Sequence, residues 1–393
     1  MEKTNETLQI LNFISKFANE MAGLYIHIPF CKSRCIYCGF YSTVGLELRQ
    51  RYVDAVCKEM ELRGKRNDSS AEIETIYLGG GTPSQLITEQ LSQIFLNINK
   101  VYDNKAEEVT IEMNPDDVTP EYAEVLPKLG INRVSMGAQT FDNDRLRFLH
   151  RRHTKEQVGK AVKTLRSAGI QNISIDLMYG FPQETIDDWQ RDIEAALALD
   201  VEHISAYCLM IEENTPLYEK VHKENRPLCV LSEELERAMY ELLIDKLTAA
   251  GYEHYEISNF ARPGYRSRHN SSYWHDVPYI GLGAAAHSYD GRNRSWNVSD
   301  IKQYMAAIER GERPAEGETL DDDTRYNDRI TTALRTREGL DLSTLTEKHR
   351  RYCLKEAERY ISDGLLRLEG NQLALTCKGL FVSDMVMSAL VYV

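Results

Sequence analysis

A chain of 393 residues, 42% hydrophobic and 27% charged, has the composition of an ordinary globular protein. It is long enough to bury two or three domain cores without disulfides. Its 47 Lys and Arg face 60 Asp and Glu, a net charge of −13, which argues against a surface built to neutralise nucleic-acid phosphates.

No apolar run approaches the ~20 residues of a bilayer span, so no membrane anchor is expected. The start, MEKTNETLQILNF, lacks the basic-then-apolar layout of a secretory signal. Both features point to a cytoplasmic protein. Residues 5–18 read as an amphipathic helix with Leu8, Leu11, Ile14, Phe17 and Ala18 on one side, and residues 1–21 as an N-terminal helical extension.

From residue 22 strand-like and helix-like runs alternate. The strand-like runs are 23–28, 72–78, 107–113, 132–138, 172–178 and 203–210. Three of them follow one recurring phrase: KLGINRVSM, SAGIQNISI and ALDVEHISA. In each, a helix ends at a breaker (Gly130, Gly169 or Asp200) and a new strand begins. Repeated βα units imply a parallel sheet, of the TIM-barrel or the open doubly wound kind, over residues 22–258. Residues 259–309 are rich in aromatics, His, Arg and Gly without clear periodicity, and are expected to connect and pack on that unit. Residues 310–393 turn helical, then suggest two short strands around Gly370-Asn371 and a last helix, a winged-helix-like pattern.

Of eight cysteines, Cys57, Cys208, Cys229, Cys353 and Cys377 are scattered, whereas Cys31, Cys35 and Cys38 fall within eight residues as CKSRCIYC. A disulfide framework does not suit a chain of this size without an export signal. Three thiolates on one loop can hold three irons of a [4Fe–4S] cluster and leave the fourth open to an external ligand. The competing reading is a structural zinc site with His27 as a fourth ligand, although the usual second pair of ligands is missing.

Other chemistry-bearing residues fall at strand ends. Gly79, Gly80 and Gly81, followed by Thr82 and Pro83, make a turn where backbone amides can approach a ligand. Glu112, Gln139 and Asp176 end or nearly end three strands, which on a parallel barrel share one mouth.

The spacing C-x₃-C-x₂-C resembles the radical S-adenosylmethionine superfamily. YIHIPFCKSRCIYCGFYS, YLGGGTPS, TIEMNPDDVT, RVSMGAQTFDNDRLRFLHRRH and SIDLMYGFPQET, in this order, resemble the oxygen-independent coproporphyrinogen III oxidase family. HNSSYW and the C-terminal module extend the likeness over nearly the whole chain after residue 21. The resemblance implies a partial TIM-type (β/α)6 barrel with a small C-terminal domain. It also implies a [4Fe–4S] cluster on Cys31, Cys35 and Cys38, and S-adenosylmethionine held by Tyr25, Gly80, Gly81, Thr82 and Glu112. Gln139, Arg151 and Asp176 match positions at or beside a second S-adenosylmethionine, with Arg152 as the neighbour that leaves the register of Arg151 open.

Two departures point to one branch. The enzyme's triad continues to a fourth Cys, where this chain has Phe40, and only about twenty residues precede the first strand. Both resemble the haem chaperone branch, which binds haem as cargo and passes it to recipient haemoproteins, respiratory ones among them. HNSSYW is a further mark of that branch. His269 is then the candidate haem ligand, with Tyr273 and Trp274 packing on the porphyrin and Arg262, Arg266 and Arg268 pairing with propionates. His254, His287 and Cys208 are weaker candidates. The alternative is an enzyme that decarboxylates the propionates of coproporphyrinogen III with a 5′-deoxyadenosyl radical.

Overall fold

The computed structural model describes residues 22–64, 72–222 and 231–393. The helix expected over 5–18, the rest of 1–21 and Cys229 lie outside the described residues.

Six parallel strands carry the first part of the chain: β1 (Ala22–Ile28), β2 (Glu72–Gly80), β3 (Asp103–Met113), β4 (Arg133–Gln139), β5 (Asn172–Tyr179) and β6 (His203–Cys208). Each pairs in parallel with the next in chain order. Such strands are covered on both faces, which is why they read as nearly unbroken apolar runs. Helices Arg49–Gly64, Thr88–Val101, Lys155–Ser167, Ile186–Leu197 and Glu233–Ala249 alternate with them and bury residues such as Val56, Ile94, Leu165, Trp189 and Leu243 in one continuous core. The predicted breakers behave as such: Gly130, Gly169 and Asp200 all take left-handed backbone, at φ 82°, 99° and 51°.

The sheet does not close on itself. Beyond β6 it continues antiparallel through β8 (Asn259–Ala261) to β7 (Glu253–Glu256). On the other side β9 (Tyr279–Leu282) pairs in parallel with β1, followed by antiparallel β10 (His287–Tyr289), β11 (Asn293–Asn297) and β12 (Ala315–Thr319). The segment read as aperiodic over 259–309 thus supplies strands to both margins of a 12-stranded sheet. Strands of three to five residues are too short to display a period of two.

Buried Glu59 anchors this addition. Its carboxylate accepts hydrogen bonds from Gly283 N (2.9 Å), Asn297 Nδ2 (2.8 Å) and Tyr304 OH (2.6 Å). Arg63 Nη1 donates to Gly281 O at 2.8 Å.

A second core lies in the C-terminal part, formed by residues such as Tyr326, Ile330, Cys353, Leu366 and Leu390. Here β13 (Leu340–Asp341), β14 (Leu366–Glu369) and β15 (Gln372–Leu375) form an antiparallel sheet in the order β13-β15-β14, flanked by helices Asp322–Ala333, Glu347–Ser362 and Ser383–Leu390. The hairpin turns at Gly370, φ 62°, where the sequence placed it. Arg335 bonds buried Glu256 at 2.7 Å and so ties this part to the larger one. Among the described residues no helix is long and apolar enough to cross a membrane.

Candidate functional site

Because β1 to β6 run in one direction, their C-terminal ends and the loops after them meet at one mouth, the usual seat of chemistry in parallel α/β folds. A cavity of about 430 Å³ opens there. Cys31, Cys35, Cys38, Gly80, Gly81, Thr82, Glu112, Gln139, Arg151 and Asp176 all line it. Ten residues selected from six separate stretches of sequence are thereby brought around one space.

The cysteine loop leaves β1 and is pinned at both ends: Cys31 N donates to Thr43 O (2.9 Å) and Ile36 N to Leu149 O (3.3 Å). All three thiols are free and partly accessible. Burial raises the Cys31 and Cys38 thiols above their ordinary range, so they stand as neutral thiols until a metal displaces the protons. Among the described residues no three His, Cys, Asp or Glu side chains converge tightly enough to hold one ion. A cluster does not ask for that convergence, since each of its irons takes its own thiolate. Both nitrogens of His27 point elsewhere, Nδ1 to Tyr25 OH (3.1 Å) and Nε2 to Tyr41 O (3.2 Å). The donor set therefore fits three corners of a cubane better than a Cys₃His zinc site.

The glycine turn is shaped by close packing. Gly80 has φ 109°, and a Cβ on it would strike the His27 ring at 2.5 Å. A Cβ on Gly81 would meet backbone atoms of Ile28, Pro29 and Phe30 at 2.9–3.0 Å. Only glycine lets β2 pass this close to the root of the cysteine loop.

Glu112 sits on the cavity floor. Oε1 accepts from Tyr77 OH at 2.8 Å and Oε2 from Gly80 N at 3.2 Å. Burial pushes its carboxyl up to about 7, against the pull of the Tyr77 and Gly80 hydrogen bonds. Asp176, bonded by Ser135 Oγ at 3.3 Å, is raised to about 6, again by burial and against the opposing charge of Arg133. Gln139 follows a bulge in β4 and holds φ 66°, a conformation uncommon outside glycine that turns it toward the cavity.

Arg151 joins the two halves of the site. Nη2 donates to Asn114 Oδ1 (2.6 Å) and Gly137 O (2.7 Å), and Nη1 approaches Cys35 Sγ at 3.6 Å. Asn114 continues to Thr82 Oγ1 (3.4 Å), which lies 3.6 Å from Cys31 Sγ. Arg152 turns the other way, pairing with Asp116 (2.8 Å) and Asp117 (3.0 Å). The register left open in the sequence thus favours Arg151 at the cavity.

Two expected ligand contacts, Tyr25 and His269, lie outside the lining of this cavity. Tyr25 is not part of the cavity lining: its ring stacks on Tyr77 and His269 at 6.3 and 6.5 Å, one layer below the mouth. His269 lies farther down, against the N-terminal ends of β1 and β2. It is 1% exposed, with Nδ1 on Thr75 Oγ1 (2.8 Å), Nε2 on Tyr273 OH (2.9 Å), and burial lowering its pKa to about 3. With both ring nitrogens engaged it has no lone pair for a haem iron in this arrangement.

The whole helix Arg268–Trp274 plugs the lower end of the sheet. Glu108 accepts its Arg268 and His269 amides at 2.9 Å each, and Trp274 packs under Arg335 of the C-terminal part. The arginines expected on propionates have carboxylate partners already: Arg262 with Asp200, Arg266 with Glu253 and Glu338, Arg268 with Glu107. His254 is likewise committed, to Ile257 O at 3.1 Å. His287 lies on β10, away from the mouth, whereas Cys208 lines the cavity, its thiol raised to about 12 by burial.

Residues missed in the sequence add to the lining, among them Arg34, Asn114, Ser135, Gly137, Tyr207 and Met210. The signal for most was position, since they sit at or just beyond the ends of β3, β4 and β6.

Comparison with known proteins places this arrangement. Residues 25–196 match the Radical SAM superfamily and residues 320–382 the HemN C-terminal domain. The chain is 36% identical over 335 residues to the heme chaperone HemW of Bacillus subtilis (strain 168), covering 84% of this chain and 88% of that protein. It is 34% identical over 374 residues to heme chaperone HemW of Mycobacterium tuberculosis (strain CDC 1551 / Oshkosh), covering 94% of each. Among solved structures, the Escherichia coli coproporphyrinogen III oxidase HemN superimposes with a TM-score of 0.81 over 97% of this chain and 92% of that one, at 22% identity, a likeness of fold.

Proposed function

Because the chain belongs to the HemW family of the radical SAM superfamily, we propose that it is a cytoplasmic haem chaperone: it binds haem and delivers it to haemoproteins, respiratory ones among them. Its core is a [4Fe–4S] cluster held by Cys31, Cys35 and Cys38. The observation that carries the core of this reading is the gathering of three free thiols, Glu112, Gln139, Arg151 and Asp176 around one cavity.

S-adenosylmethionine, if held beside a cluster on Cys31, Cys35 and Cys38, would supply one-electron cleavage chemistry. The chain's own residues bind and orient it. Gly80, Gly81 and Thr82 give the amino-acid end a wall without side-chain bulk, and Glu112 offers carboxylate oxygens to hydroxyl donors. Gln139, Arg151 and Asp176 supply amide, cationic and anionic contacts on the far side, with Tyr25 supporting the floor from below. Arg151 near Cys35 places positive charge beside the thiols and would favour the more negative, reduced form of a cluster held there.

Phe40 separates the chaperone from the enzyme reading. An oxygen-independent coproporphyrinogen III oxidase remains the alternative, supported by the completeness of the cavity. Anaerobic incubation of the cluster-loaded protein with S-adenosylmethionine and coproporphyrinogen III decides: the chaperone leaves the substrate unchanged and binds haem in the same sample, and catalytic formation of protoporphyrinogen IX overturns that assignment. Joint replacement of Cys31, Cys35 and Cys38 by Ala abolishes bound iron and acid-labile sulfide. Undiminished contents in that variant refute the cluster.

A further inference from the structure

The rim of the cavity carries side chains to which the proposed cluster and S-adenosylmethionine contacts assign no role. Phe40 is 73% exposed, Met210 71% and Tyr207 43%. Only ten large hydrophobic residues are exposed among the described residues, and these three line the same opening. They arrive from two distant segments, Phe40 from the end of the cysteine loop and Tyr207 and Met210 from the end of β6 and just beyond. The segments meet closely, for a Cβ on Gly39 would collide with the Glu212 carboxylate. A grouped apolar rim of this kind on an otherwise charged surface marks a binding site rather than scattered exposure.

The same rim holds an unmatched charge. Arg34 lines the opening, is exposed, and has no ion pair or hydrogen bond among the described residues. The arginines beside the His269 helix, by contrast, are paired with carboxylates. Two flat or flexible apolar contacts, an aromatic ring and one free guanidinium together suit a planar apolar macrocycle with carboxylates at one edge.

We propose that haem docks across this mouth, its ring against Phe40, Tyr207 and Met210 and a propionate toward Arg34, rather than at the buried His269 helix. This deepens the chaperone reading and rests on it. Phe40 then has a positive role: where a fourth thiol would stand, the chain presents an apolar surface to its cargo.

The test is titration of hemin, and of its dimethyl ester, into the full-length cluster-loaded protein, read by Soret absorbance under anaerobic conditions. Phe40→Ser and Met210→Ser each weaken both ligands about tenfold, the loss expected for one well-packed apolar contact. Arg34→Glu weakens hemin about tenfold and leaves the ester, whose propionates are uncharged, at wild-type affinity. Iron and sulfide contents report on folding in every variant. Wild-type hemin affinity in all three variants overturns the docking site while leaving the chaperone reading intact. Failure of the wild type to bind hemin overturns that reading and the site with it. A change in oligomeric state in Phe40→Ser, with hemin affinity unchanged, assigns the rim to self-association and also refutes the proposal.

Discussion

Glu112→Gln separates the cost of the site from its use. The folded protein holds the Glu112 carboxyl near 7 against an ordinary 4.5, so between these values the native state binds a proton that the unfolded chain releases. Stability from this group is fully present below pH ~4.5 and is lost as pH rises through about 7. At roughly 1.4 kcal/mol per tenfold change in proton affinity, the whole effect is about 3 kcal/mol, an upper figure because cavity water still reaches part of the carboxylate. Up to about 2 kcal/mol of it falls between pH 5.5 and 8.5.

The amide introduced by this substitution would stay neutral throughout and still offer an oxygen to Tyr77. We therefore expect Glu112→Gln to be more stable than the wild type at pH 8.5 by up to ~2–3 kcal/mol, with the gap narrowing toward pH 5.5. The measurement is urea unfolding of cluster-loaded, S-adenosylmethionine-free protein, followed through Trp189, which is wholly buried in the large core. S-adenosylmethionine affinity should fall about tenfold in the same variant, the usual loss for a hydrogen bond to a charged acceptor. Parallel pH profiles, or a less stable variant at pH 8.5, would refute the account.

Gly137→Ala places a Cβ 2.6 Å from Gln139 Nε2 and 2.9 Å from Arg151 Nη2, both ends of flexible side chains. It should leave the denaturation midpoint nearly unchanged while weakening S-adenosylmethionine binding about tenfold by calorimetry. Gly81→Ala meets rigid backbone instead, and its signature is a loss of about 1–3 kcal/mol in urea unfolding together with poorer cluster retention. Arg152→Ala removes pairs with Asp116 and Asp117 outside the cavity. It should lower stability by ~1 kcal/mol and leave iron content at the wild-type level. His269→Ala empties a fully enclosed position and strands Thr75 and Tyr273, at a cost of about 2–4 kcal/mol in the same assay.

What could be read without coordinates divides along physical lines. Strands buried on both faces announce themselves, so Ile26, Ile76, Ile111, Val134, Ile175 and Ile204 mark β1 to β6 from their neighbours alone. Local backbone demands are equally visible: Gly130, Gly169 and Gly370 are punctuation wherever they occur. The short strands β8 to β11 were hidden because three to five residues carry no period, and the partners that attach them to the sheet, β6 for β8 and β1 for β9, lie more than fifty residues away.

For the site, residue type and strand-end position sufficed to collect Cys31, Glu112, Gln139 and Asp176. Direction did not follow from them. Nothing local says that Arg151 turns inward and Arg152 outward, or that His269 faces Thr75 and not a ligand, since tertiary packing fixes those choices. Arg34, although it sits between the cysteines of CKSRCIYC, and Met210 carry no ligand signature of their own and become informative only once two loops are seen on one rim.

The parallel pairing of β1 with β9 sets a timetable for synthesis. β1 ends at residue 28 and its outer neighbour begins at Tyr279. At roughly 5–20 residues per second, the ribosome leaves that strand edge open for about 10–50 s. The cysteine loop emerges within the first forty residues, yet the arginine beside it and the glutamate floor arrive far later. An iron–sulfur assembly factor meeting the nascent chain would find three thiols on an unfinished sheet, and a chaperone covering the β1 edge would shield them as well. Every residue that lines the cavity precedes residue 213, so the wall is encoded well before β9, and a chain truncated before β9 should lack the strand that covers the β1 edge rather than the wall itself.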